Sequence, residues 1–84
     1  MLMIQYRVAD PVGFHARPVT RLVQEASRFR SEINIAYEGN NANLKSIFSV
    51  LALAIPHNAH VEITIDGEDE IIAKESIESF LNIL

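Results

Sequence analysis

The chain has 84 residues, no cysteine, seven basic and eleven acidic side chains and a formal charge of −4. That balance argues against nucleic acid or an anionic membrane as the main partner, because both attract basic surfaces. Without cysteine there are no disulfides or thiolate metal sites, so the core rests on ordinary apolar burial, for which 49% hydrophobic residues suffice. One domain spanning residues 1–84 is expected at this length. The longest apolar run, Val50 to Pro56, is far short of the roughly 20 residues of a membrane span. No basic region followed by an apolar stretch opens the chain, so no export signal is read and a cytosolic location is expected.

Leu2, Ile4, Tyr6 and Val8 alternate with Met3, Gln5 and Arg7 and predict a strand with one buried face. Asp10-Pro11-Val12-Gly13 then punctuates a loop. From Ala16 the period changes: Val19, Leu22, Val23, Ala26 and Phe29 form a helical stripe. Ile33, Ile35 and Tyr37 alternate again, and Glu38-Gly39-Asn40-Asn41 predicts a turn into a short strand near Ala42 to Leu44. Ser46 to Ala54 predicts a short helix with Ser46 as N-cap, Ile47, Val50, Leu51 and Ala54 facing inward, and Phe48 and Leu53 without a buried place. Pro56 and Asn58 are expected to end it. Val61, Ile63 and Ile65 mark the cleanest strand, turned by Asp66-Gly67. Glu68, Asp69 and Glu70 put negative charge at the start of a last helix, with Ala73, Ile77, Phe80, Leu81 and Leu84 as its apolar stripe.

The order predicts an α+β open-faced βαββαβα sandwich: a four-stranded antiparallel sheet covered on one face by three helices. Gln5, Arg7, Glu32, Asn34, Glu62 and Thr64 are polar enough for the uncovered face.

Gly13-Phe14-His15-Ala16-Arg17-Pro18 carries the chemistry. An imidazole nitrogen is a nucleophile near neutral pH. His15 falls just before a helix, whose first N–H groups are unpaired and favour an anion. Arg17 can hold two phosphate oxygens at once, and Pro18 in the first turn helps start the helix. These residues alone fit either a transferable phosphoryl group on His15 or a solvated helix cap beside a surface arginine. His57 and His60 lack a carboxylate or thiolate partner that would complete a metal set with His15, so no metal is expected. Glu68-Asp69-Glu70 is read as helix-start charge rather than a calcium site.

The segment Gly-Phe-His-Ala-Arg-Pro at 13–18, followed by Leu-Val-Gln-Glu-Ala-Ser-Arg-Phe at 22–29, resembles the active-site region of the HPr family. These are histidine-containing phosphocarriers of the bacterial phosphoenolpyruvate:sugar phosphotransferase system. Asn43-Leu44-Lys45-Ser46-Ile47 resembles the regulatory serine segment of Gram-positive members. The resemblance covers essentially the whole chain. It implies that His15 receives phosphate at Nδ1 from phosphorylated enzyme I and passes it to a histidine on the A domain of a sugar-specific enzyme II. It implies that Arg17 steadies the phosphate and that Ser46 is a target of HPr kinase/phosphorylase. In that family the serine-phosphorylated form binds a LacI-type repressor. It implies a carrier without a substrate pocket or cofactor of its own, and a monomer. The sequence departs from the family at Phe48-Ser49-Val50-Leu51, which lacks the methionines and glycine common in Gram-positive members. It departs again at Ala54 to Ala59, which replaces a glycine-rich stretch and predicts a stiffer loop.

A helix apolar on nearly every side signals burial in a partner, so Phe48, with Ile47 and Leu51, is expected to dock partners. Thr20 and Arg21 would border the same patch. Two other functions compete: an interaction module switched by phosphate on Ser46, and a small nucleic-acid domain. The second is opposed by the acidic charge and by the lack of paired aromatics on the open sheet face.

Overall fold

In the computed structural model, which describes residues 1–84, four strands and three helices run β1 (Leu2–Arg7), α1 (Ala16–Ala26), β2 (Glu32–Tyr37), β3 (Asn40–Asn43), α2 (Ile47–Leu51), β4 (His60–Asp66) and α3 (Glu70–Ile83). The sheet order is β1-β4-β2-β3, antiparallel throughout. This is the open-faced α+β sandwich that the period changes predict. Period-2 alternation places Ile4 opposite Ile63, Ile33 opposite Ile65 and Ile35 opposite Ile63. All five are buried beneath the helices with Leu22, Val50 and Ile77. The other face is polar, and there the Gln5 amide donates to Glu62 across the strands at 2.9 Å. Met3, 47% exposed, and Ala36 are apolar members of that face.

Three boundaries and one side-chain role differ from the sequence reading, each for a local reason. The turn between β2 and β3 is only Glu38-Gly39, both with positive φ (49° and 82°), so β3 begins at Asn40 rather than Ala42. This is the two-residue hairpin geometry, whose handedness matches strand twist. Helix α1 ends at Ala26, so Phe29 is not a helical residue. It lies in the following turn, half-buried against the core. Helix α2 ends at Leu51, well before Pro56. The cause is Ala54 at φ 52°, a left-handed residue that turns the chain away. Ala54 is therefore exposed, not inward-facing, and Leu53 is the residue that packs against the core. Finally, Asp69 precedes α3 as expected but does not cap it. Its carboxylate accepts from the backbone N–H groups of Arg30 (2.8 Å) and Ser31 (2.9 Å) and from the Ser31 hydroxyl. It thus ties the start of β2 to the start of α3.

No helix is long and apolar enough to cross a membrane.

Candidate functional site at the start of the first helix

His15 is the N-cap residue of α1, with extended backbone (φ −86°, ψ −175°). Its carbonyl accepts the first helical bond, from Val19 at 3.2 Å. Pro18 has no N–H to give, so Ala16 and Arg17 present the unpaired amides of the first turn. The His15 ring is half-exposed, its side chain 39% accessible.

The loop that delivers His15 is held from three sides. Phe14 is buried and its ring stacks on Tyr6 at 6.1 Å. The Phe14 N–H donates to the Ile55 carbonyl at 2.9 Å. Gly13 has φ 86°, and a Cβ there would lie 2.7 Å from that same carbonyl oxygen, so both conformation and space require glycine. The loop thus leans on the segment after α2, whose path depends on left-handed Ala54 and Asn58.

Asp10 organises the other end. Its Oδ1 accepts from the Val12 N–H at 2.9 Å, an Asx turn. Its Oδ2 lies 3.3 Å from His15 Nε2. Its carbonyl accepts from the Gly13 N–H and from His57 Nδ1, both at 2.9 Å. The Val12 N–H first, and the His15 ring after it, hold the Asp10 carboxyl below its ordinary value. Sequence reading treats Asp10 as a turn residue and considers His57 as a metal ligand, which it rejects. No periodicity joins positions 10, 15 and 57; the Asp-Pro-x-Gly turn was the one signal that Asp10 folds back.

Arg17 is exposed and makes no ion pair within the chain, so its guanidinium is unengaged beside the helix start. Thr20 is half-buried and Arg21 exposed one turn further on. The Arg21 guanidinium lies 5.6 Å from the Phe80 ring centroid, so it is directed onto α3. Helix α2 packs against α1. On it Phe48 is 85% exposed, whereas Ile47 and Leu51 are half-buried and contact the core. Ser46 is the N-cap of α2. Its Oγ accepts from the Ser49 N–H at 3.4 Å and bonds the Ser49 hydroxyl at 2.9 Å. The largest concavity, about 630 Å³, lies elsewhere, between β1 and α3, lined by Ile4, Gln5, Tyr6 and Glu75 among others.

A histidine at the exposed start of the first helix of an open-faced α+β sandwich is the arrangement of the small phosphocarrier domains. The chain belongs to the HPr family: the family model described as the PTS HPr component phosphorylation site matches residues 3–82. It is similar to the histidine-containing phosphocarrier protein of Mycoplasma, at 38% identity over 95% of this chain and 91% of that one, with a TM-score of 0.92. It is also similar to the phosphocarrier protein HPr of Bacillus anthracis, at 36% identity over 95% and 98%, TM-score 0.80. A third similarity is to the Bacillus subtilis catabolite repression protein Crh, a swapped dimer, at 32% identity over 99% and 95%, TM-score 0.76.

Proposed function

We propose that this member of the phosphotransferase-system phosphocarrier family accepts a phosphoryl group on His15 Nδ1 from phosphorylated enzyme I. It then delivers the group to the A domains of sugar-specific enzymes II. The observation that carries this reading is the half-exposed His15 ring at the unpaired N-terminus of α1. In the first transfer the His15 Nδ1 lone pair attacks phosphorus; in the second a ring nitrogen of the acceptor histidine attacks and His15 is the donor. The donor's N–P bond breaks and leaves its electron pair on the donor ring. The Ala16 and Arg17 amides and the Arg17 guanidinium hold the phosphoryl oxygens, where the helix dipole favours negative charge. On this reading the protein is a carrier, not a catalyst with its own substrate, and works as a cytoplasmic monomer of one domain.

The test is incubation with phosphoenolpyruvate and enzyme I. Acid-labile label is expected on the wild type and none on His15→Ala, with the fold unchanged because the ring is half-exposed. Equal labelling of the two proteins contradicts the assignment.

A regulatory reading of Ser46 has its own support. Its hydroxyl caps α2 one residue before Ile47 and two before exposed Phe48. Phosphate there, added by HPr kinase/phosphorylase, puts a charge of about −1.5 to −2 at a helix start, which tolerates it, and beside the docking surface, which does not. Enzyme I would then dock less well, while a LacI-type repressor would gain a phosphate to recognise. Thr20, Arg21, Ile47, Phe48 and Leu51 make up the docking surface in this reading.

A further inference from the structure

We propose that Asp10 is the positioning residue for His15, holding the ring so that Nδ1 carries the lone pair. The inference rests on the phosphocarrier reading and adds to it a second residue, one that the loop brings back across five positions of sequence.

The chemistry follows from the donor inventory. An ionised carboxylate only accepts hydrogen bonds. Asp10 Oδ2 lies 3.3 Å from Nε2, so the proton of the neutral ring belongs on Nε2. Nδ1 is then the unprotonated nitrogen. The carboxylate cannot swing away freely, because Oδ1 is occupied by the Val12 N–H. The backbone beneath it is fixed as well, by Gly13 and by the His57 ring on the Asp10 carbonyl. As the Nδ1–P bond forms, Nε2 keeps its proton and the ring becomes positive. The carboxylate beside Nε2 stabilises that charge without itself taking the proton. The same logic orients the imidazole in hydrolytic triads. Of the titratable groups here, Asp10 faces the ring itself, His57 meets the Asp10 carbonyl from the opposite loop, and Arg17 follows in the first turn of α1.

Asp10→Asn separates positioning from loop structure. The asparagine oxygen retains the Asx turn with Val12, which leaves the amide N–H group facing Nε2. A donor there favours a proton on Nδ1, the wrong nitrogen. Two readouts are taken on wild type, Asp10→Asn and Asp10→Ala. The first is the His15 tautomer, from ¹⁵N ring shifts at about pH 9, where imidazole is neutral. The second is the rate of labelling by enzyme I. A wild-type ring protonated at Nε2 is expected, with a shift towards Nδ1–H in Asp10→Asn. Transfer in that variant should be about three- to tenfold slower, the span set by losing one ordinary hydrogen bond. Asp10→Ala should show slower transfer with a mixed tautomer. A wild-type tautomer and rate in Asp10→Asn overturn the proposal, as does a wild-type ring protonated at Nδ1. If the wild type takes no label at all, the phosphocarrier reading fails, and the tautomer measurement alone decides whether Asp10 holds the ring.

Discussion

At the residue scale, the site combines one reactive group with neighbours that each do one thing. Arg17 brings a charge and a fork. Arg17→Lys keeps the charge and loses the bidentate geometry, so slower transfer is expected with little change in stability. Arg17→Ala should be slower still, and equal rates in all three proteins would remove Arg17 from the mechanism. Ala54 makes a different kind of prediction. A left-handed alanine costs about 1–2 kcal/mol, and glycine relieves that while adding freedom to the unfolded chain. Ala54→Gly should therefore stabilise by about 0.5–1 kcal/mol, roughly 4 °C in thermal midpoint. An unchanged or lower midpoint counts against strain at this residue. The places of His15 and Arg17 at the start of α1 were legible in the sequence because they depend on a local pattern, a loop segment running into a helical stripe. Asp10 and His57 were not, because their places depend on how two loops close on each other.

At the element scale, helix α2 is short enough for its cap to matter. Ser46→Ala should cost about 0.5–1 kcal/mol, the lower part of the range for N-caps, since the bond is long at 3.4 Å. Ser46→Asp retains a capping oxygen and adds a favourable charge. It should be at least as stable as Ser46→Ala yet label more slowly with enzyme I; normal labelling would leave the serine as a cap alone. Between β2 and α3 the link is electrostatic. The hydrogen bonds from Ser31 and Arg30 lower the Asp69 carboxyl from its ordinary 3.8 to about 2. A depressed carboxyl stabilises the fold fully above the ordinary value and loses that effect as pH falls from about 4 to about 2. Wild type should lose more stability over this window than Asp69→Asn, as followed by urea midpoint against pH; parallel curves would show that Asp69 does not contribute. The sequence reading found all seven elements because their apolar periods are strong, as in Val61, Ile63 and Ile65. It misplaced the end of α2 because the residue that stops it is alanine, whose backbone choice is dictated by packing and not by its side chain. It also assigned Asp69 to its own helix, where charge rules point, while the Ser31 partner is far away in sequence, just before the neighbouring strand β2.

At the scale of the whole molecule, the sandwich buries its covered face and leaves His15 accessible on the rim at the start of α1. Phe48, 85% exposed on α2 beside α1, contributes little to the core. Phe48→Ala should leave the thermal stability within about 0.5 kcal/mol of wild type and raise KM for enzyme I more than it lowers kcat. An unaltered KM removes Phe48 from the docking surface. The central claim is that phosphate resides on one nitrogen of one histidine. Its most direct test is a ³¹P and ¹⁵N NMR spectrum of the wild-type protein after phosphorylation by enzyme I, with all three histidine rings labelled. A phosphorus coupling to Nδ1 of His15 alone is expected. Phosphate on Nε2 of His15, or on His57 or His60, contradicts the account.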